Sequence, residues 1–275
     1  MQAALATDNN NRNSSVEAYS LTPPRMQTET ERLLSVHPPK GEGRFAAYRI
    51  RGTSQFSDIA RSVETEVFRR FFGNSPNDLL ASYGAYDAYS HFLLVVDRET
   101  KQPAGSMRVI ENSPMGLKSL NDIREAPLEL SPQSVLDYHG IDDLNGCWDV
   151  GTLAVRKAYR GEDHVVGTML YSLFIDSALA AGIQHMVCIL DGHAYRQLTD
   201  MLAMPFVTIA GTHPFEYLGA KGTRACYVRV PQIRPSVAKY MERLEHSEPE
   251  KLAALRPVLM RVISTEGLPS VIDVK

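Results

Sequence analysis

The segment from Cys147 to Gly182 constrains this chain most. It reads Cys147-Trp148-Asp149-Val150-Gly151-Thr152-Leu153-Ala154-Val155, then Arg156-Lys157-Ala158-Tyr159-Arg160-Gly161, then a long apolar run from Val165. A run of strand length enters a basic, glycine-containing turn. The turn opens a helix over Val165–Ala181, and Gly182 stands where a helix stops. Apolar positions nearly encircle that helix, which predicts burial on most sides. Unpaired N–H groups and partial positive charge at a helix start favour phosphate. The segment therefore predicts a strand whose backbone aligns an extended ligand, and a turn that holds the ligand's phosphate end.

The rest of the chain frames this unit. Residues 1–43 are polar, carry Pro23, Pro24, Pro38 and Pro39, and lack sustained periodicity, which predicts a mostly disordered arm. Arg44–Arg51 reads as a strand. Phe56, Ile59, Ala60, Val63, Val67, Phe68 and Phe71 recur at helical spacing over Ser54–Phe72. Asn74–Tyr89 reads as a loop, and His91–Asp97 with Ala104–Glu111 as a hairpin. Asn112–Gly146 reads as a connection with short helices. After the central unit come a strand at His185–Asp191, a helix at Ala194–Met204, and strands at Phe206–Ala210 and Arg224–Val230. Pro235 to about Ile263 reads as helical, with a break near Ser247-Glu248-Pro249. Strands dominate early and alternate with helices later, the pattern of a mixed sheet with helices on both faces. The expected organisation is an arm over 1–43, one domain over 44–230 and a helical extension over 231–275.

Composition narrows the function classes. A net charge of −3 and a pI of about 6.2 lack the basic footprint of nucleic-acid binding. Cys147, Cys188 and Cys226 are far apart and form no CxxC pair, so neither a metal site nor a disulfide framework is expected. A start carrying Asp8, Asn9, Asn10 and Asn11 lacks an apolar signal core, and no apolar run approaches a membrane span. The expectation is a cytoplasmic protein with free, buried thiols.

The element order, with Leu153–Gly167 at its centre, resembles the GNAT acyltransferase superfamily. Val67-Phe68-Arg69-Arg70-Phe71-Phe72, Tyr86-Asp87, Phe92-Leu93-Leu94-Val95-Val96-Asp97 and Gly105-Ser106-Met107-Arg108-Val109 resemble its acyl-homoserine-lactone synthase and N-acyl amino acid synthase branch. The resemblance covers roughly Arg44–Val230. It implies an α/β (α+β) fold, with a mixed, mostly antiparallel central sheet and helices on both faces. It implies an N-acyltransferase that moves an acyl group from acyl-CoA or acyl carrier protein to a small amine such as an amino acid. No permanently bound cofactor is implied. The alternatives are an autoinducer signal synthase and a non-catalytic, acyl-thioester-binding regulatory domain.

Three departures qualify this. The loop Arg160-Gly161-Glu162-Asp163-His164-Val165-Val166-Gly167 is longer than the superfamily's usual loop and carries two acids. The autoinducer synthases place Glu on the central strand and Arg three residues later, where this chain has Asp149 and Thr152. Their second loop acid has no clear counterpart after Asp87.

Within the resemblance, Leu153, Ala154 and Val155 would pair with pantetheine through their backbone, and one N–H would face the developing oxyanion. Arg156, Arg160, Gly161 and Gly167 would hold phosphate. The other reading of the turn is a solvated basic surface with Asp163 as helix cap. Glu162 and Asp163, if they point inward, would repel a pyrophosphate, which makes a carrier protein met by Arg69, Arg70, Arg156 and Lys157 as plausible a donor as coenzyme A. Asp149 is either the general base or a structural carboxylate that accepts hydrogen bonds from a loop. Tyr195 would protonate the leaving thiolate. Asp87 would bind an acceptor ammonium or close an Asx turn, and Arg108 would bind an acceptor carboxylate or face solvent. Trp148 would wall the acceptor pocket or fill core. Phe206, Phe215 and Tyr217, with Met169, Met186, Met201 and Met204, would line an acyl pocket or pack as core.

Overall fold

The computed structural model describes residues 15–161, 164–264 and 269–275. In chain order the helices are α1 (Pro23–Val36), α2 (Ser57–Phe72), α3 (Pro76–Tyr83), α4 (Lys118–Asp122), α5 (Pro132–His139), α6 (Val165–Ala180), α7 (Gly192–Arg196), α8 (Ile233–Ser247) and α9 (Pro249–Ile263). The strands are β1 (Phe45–Arg51), β2 (Ser90–Asp97), β3 (Gln102–Ile110), β4 (Cys147–Val155), β5 (His185–Leu190), β6 (Val207–Thr208), β7 (Phe215–Tyr217), β8 (Ala220–Arg229) and β9 (Val271–Val274).

The chain divides into two compact units, one of Met1–Ile110, Thr152–Leu170 and Gly267–Lys275, the other of Glu111–Gly151 and Tyr171–Glu266. The first holds β9-β1-β2-β3 and the last residues of β4, in that order. β1 and β2 are antiparallel from Phe45↔Asp97 to Arg51↔His91, and β2 and β3 from Ser90↔Ile110 to Asp97↔Gln102. Alternation sends Phe92, Leu94 and Val96 of β2 into a core with Ile59 and Ala60 of α2 and Leu33 of α1. The other face meets α6. A Cβ on Gly105 would lie 2.9 Å from Val166 Cγ1 and 3.0 Å from Ala154 O, so only glycine lets α6 approach β3 this closely. The first unit thus carries helices on both faces of a mixed, mostly antiparallel sheet.

The second unit holds Cys147–Gly151 of β4, then β5, β8 and β6, with β7 also on β8. β4 and β5 run parallel from Cys147↔His185 to Val150↔Cys188, and β5 and β8 antiparallel from His185↔Arg229 to Leu190↔Arg224. Leu117, Leu120, Ile123, Val135, Cys147, Val187 and Tyr227 form its core.

Several expectations change. The supposed disordered arm contains α1, and Tyr19 and Leu33 in it are fully buried. Its apolar residues are too few for a periodic signal, but Met26, Thr30 and Leu33 share a face that packs inward. Residues 1–14 lie outside the described residues. The supposed loop after Asn74 is α3, started by a capping box in which Ser75 and Asp78 exchange hydrogen bonds. The helix expected at Ala194–Met204 is α7 followed by a π-helical turn over Gln197–Met201. The strand at Phe206–Ala210 shrinks to β6. β9 is an addition, parallel to β1 from Ala47↔Val271 to Ile50↔Val274.

Candidate active site

In the first unit β4 delivers its backbone to the basic turn. Arg156 N donates to Ala104 O at 3.0 Å, closing the β3 side. Of the strand residues in question, Ala154 is buried and Leu153 and Val155 are half-buried. Ala154 packs with Met26, Val63 and Val67. Two cations of the turn, Arg156 and Arg160, are already engaged. Arg156 bonds both carboxylate oxygens of Glu66 at 3.0 and 3.1 Å, Gln102 Oε1 at 3.0 Å and Pro103 O at 3.2 Å. Arg160 donates to Val155 O at 2.6 Å, and its guanidinium lies 4.2 Å from the centroid of the Phe71 ring. Lys157 is exposed. Gly161 has φ +102°, a conformation that favours glycine, whereas a Cβ on Gly167 would make only an ordinary contact, 3.9 Å from Val155 Cγ2. Glu162 and Asp163, including the expected cap, lie outside the described residues.

Beneath α2 the same unit buries a closed charge network. Arg108 of β3 is fully buried and grips Glu64 through Nε at 3.2 Å and Nη2 at 2.7 Å. Its Nη1 donates to Asp87 Oδ1 at 2.6 Å. Thr152 of β4 donates to Glu64 Oε1. Arg61, also fully buried, faces Asp87 Oδ2 at 3.1 Å and donates to Ser57 Oγ at 2.6 Å and Gly52 O at 2.6 Å. Arg61 Nη1 also donates to the half-buried Asp58 at 2.9 Å, so two guanidinium groups face three carboxylates. Burial opposes the charge on Arg108, but Glu64, Tyr19 and Asp87 outweigh it and hold the pKa well above its ordinary value. Arg108 therefore does not face solvent, and Asp87 is 1% exposed rather than an open Asx-turn residue. The structure brings this expected pair together.

In the second unit Asp149 is fully buried and accepts from Ser119 N at 2.5 Å and Ser119 Oγ at 2.7 Å. It caps the first turn of α4 from a neighbouring strand, because Leu117 at the helix start has no capping side chain. Burial pushes its carboxyl up to about 6, against the lowering effect of the Ser119 hydrogen bonds and of Lys118. The geometry supplies the loop hydrogen bonds of the structural reading and the raised pKa of the base reading together. Lys118 donates to Tyr217 Oη at 2.9 Å, and Tyr217 donates to Asp122 at 2.5 Å, so Tyr217 belongs to a polar cluster. Trp148 is buried, its ring 6.1 Å from Phe174. Asp191 caps α7 by accepting from His193 N and Ala194 N, and Tyr195 lies half-buried under the Arg224 guanidinium at 4.5 Å. All three thiols are buried, and burial, then Asp149, pushes Cys147 upward, away from a reactive thiolate. Among the described residues no cluster of metal-ligating side chains occurs. No helix among them is long and apolar enough to cross a membrane.

Sequence reasoning passed over Arg61, Glu64, Ser119 and Tyr19. A signal existed for the first two. Ser57, Arg61 and Glu64 follow i, i+4, i+7 spacing on a helix that also buries Ile59, Ala60, Val63 and Val67, so a polar stripe shares its buried side. Ser119 and Tyr19 left none, since their partners are 30 and 68 residues away.

No protein-family model matches the sequence, and no curated protein matches it. Among solved structures the chain is similar to FeeM, an N-acyl amino acid synthase from uncultured soil microbes. The identity is 15% and the TM-score 0.51, over 72% of this chain and 98% of that one. It is also similar to BjaI, a CoA-dependent acyl-homoserine lactone synthase, in a structure with SAM and isopentyl-CoA. There the identity is 13% and the TM-score 0.51, over 83% and 93%. A structure of BjaI with MTA gives a TM-score of 0.52. The chain therefore shares the fold of these two structures, a mixed, mostly antiparallel sheet with helices.

Proposed function

We propose that this chain is an N-acyltransferase that moves an acyl group from an acyl thioester, on coenzyme A or an acyl carrier protein, to a small amine such as an amino acid. The observation that carries the reading is β4. One strand bears Asp149, ties Thr152 to the buried charge network and runs into the Arg156–Gly161 turn that precedes α6. The edge of Leu153–Val155 away from β3 pairs with the pantetheine amides, and a backbone N–H on that edge stabilises the oxyanion. The turn and the start of α6 hold phosphate, with Gly161 and Gly167 keeping side chains out of the way. Arg156 and Arg160 shape the turn through the bonds described above, and Lys157 adds an exposed charge.

The acceptor amine must lose a proton before it attacks. Asp149 takes that proton, through water, with a carboxyl pushed up to about 6. Attack forms the amide and breaks the C–S bond. Tyr195 gives a proton to the departing thiolate. Asp87 and Arg108 orient the acceptor, with Trp148 as wall. The buried, upward-shifted thiol of Cys147 supports direct attack over an acyl-enzyme.

The test is release of free thiol from acetyl-CoA, a long-chain acyl-CoA and an acylated carrier protein, each with an amino-acid pool, and identification of products by mass. Turnover with a carrier or long-chain donor and an open-chain N-acyl product is expected. A lactone product would replace this reading with the signal synthase. Donor binding without thiol release under every condition would sink it in favour of a regulatory domain.

A further inference from the structure

The buried network is closed by a segment that precedes α1 among the described residues. Val16–Tyr19 forms one helical turn, and Tyr19 is fully buried while Val16, Glu17 and Ser20 are exposed. The Tyr19 hydroxyl donates to Asp87 Oδ1 at 2.9 Å and accepts from Arg108 Nη2 at 3.2 Å. Its ring packs with Leu79, Tyr83 and Ile110, and the guanidinium carbons of Arg61 and Arg108 lie 5.6 and 5.7 Å from its centroid. Leu21 N adds one further tie, to Ser62 Oγ at 3.0 Å.

The phenol donates a hydrogen bond to a carboxylate and accepts one from a guanidinium. A ligand with an ammonium and a carboxylate on neighbouring carbons would make the same two contacts with full charges, which are about twice as strong as neutral ones. The network is also under-satisfied where such a ligand would gain. Asp87 Oδ2 and Arg61 Nε face each other at 3.1 Å but are not aligned as a hydrogen bond, and neither buried atom has another partner. An ammonium donating to Asp87 would relieve one of them. The turn pairs with no strand, so displacing it uncovers Ala18 and Tyr19 but breaks no strand pairing, and Ser20 and Thr22 beside it are exposed.

We propose that Val16–Leu21 is a strap over the Asp87–Arg108 pair, and that an α-amino acid displaces Tyr19 from it. The strap holds the charges paired and dry until an acceptor arrives. Only an amine carrying a carboxylate satisfies both poles, so the strap also selects amino acids over simple amines. The identity of the ligand as acceptor rests on the acyl-transfer reading; the strap itself does not.

Full-length wild type, Tyr19→Phe and Ser62→Ala test this. Tyr19→Phe keeps the ring and removes only the hydroxyl. Ser62→Ala loosens the strap without touching Asp87 or Arg108. Hydrogen exchange is measured without ligand, and calorimetric binding with glycine, L-leucine, L-glutamate and L-tyrosine. Strap amides should exchange on the order of ten-fold faster in both variants, with α2 unchanged, and affinity for at least one amino acid should rise several-fold. Unchanged exchange, unchanged or weaker affinity, or no binding by any of the three proteins would overturn the strap. Binding that follows this pattern without thiol release from any donor would overturn the acyl-transfer reading and leave the strap standing.

Discussion

Asp149 accepts two hydrogen bonds from one residue, and this geometry makes its two roles separable. Its folded pKa of about 6 lies above the ordinary 3.8, so between those values the folded chain holds more protons than the unfolded one. Stability contributed by the neutral acid is present at low pH and falls as pH rises from about 4 to about 6. The loss is at most about 3 kcal/mol. Asp149→Asn should therefore gain on wild type between pH 4 and pH 7, as read by urea unfolding at each pH. Asp58, also pushed up to about 6 by burial, titrates in both proteins and cancels in the difference. A base role adds a fall in turnover of about 10²- to 10⁴-fold in the variant, and a wild-type rate that climbs through an apparent pKa near 6. A purely capping carboxylate leaves the rate near wild type. Glu64 invites a second substitution. Glu64→Ala breaks the paired contact with Arg108 Nε and Nη2 inside a buried network and should cost about 3–5 kcal/mol, whereas Thr152→Val removes one hydrogen bond and should cost about 1 kcal/mol. Equal urea midpoints for the two variants would contradict the network.

At the scale of elements, two glycines make opposite predictions. Gly105→Ala puts a methyl group 2.9 Å from Val166 and must push α6 off β3, at about 1–3 kcal/mol. Gly167→Ala lies inside α6 with room for its methyl and should be neutral or stabilising by up to about 1 kcal/mol. If the start of α6 meets phosphate, Gly167→Ala also weakens coenzyme A binding while thermal stability holds, a combination that calorimetry and a melt together reveal. The strand elements were easy to read. β2 and β5 are largely apolar runs, β8 is apolar over Ala225–Val228, and α6 is apolar nearly all round, because each is buried over those residues. α1, α3 and β9 were not. α1 shows three inward positions in fourteen residues, α3 depends on a cap whose reciprocal bonds need the folded geometry, and β9 has four residues that are a strand only beside β1.

At the scale of the whole molecule, β9 is the C-terminal segment that completes the first unit's sheet next to β1. Val274 is 2% exposed and Asp273 pairs with Arg49 at 2.5 Å. Removal of residues 269–275 should cost about 2 kcal/mol from the lost burial and leave β1 as an open edge. A lower melting temperature with concentration-dependent aggregation checks this, and an unchanged melt would show that β1 does not need the cover.

Periodicity and turn residues act over a few positions, and by themselves they determined most of the order of elements and the strand–turn–helix unit around β4. The family resemblance, carried by longer runs of residues, put Asp87, Arg108 and Asp149 among the candidates. The tertiary structure alone decided whom these residues meet. Arg108 reaches Glu64 across 44 residues and Tyr19 across 89, and Thr152 reaches Glu64 across 88. Such pairings leave no periodic trace, since a buried charge is settled by the partner that folding brings to it, not by its neighbours in the chain.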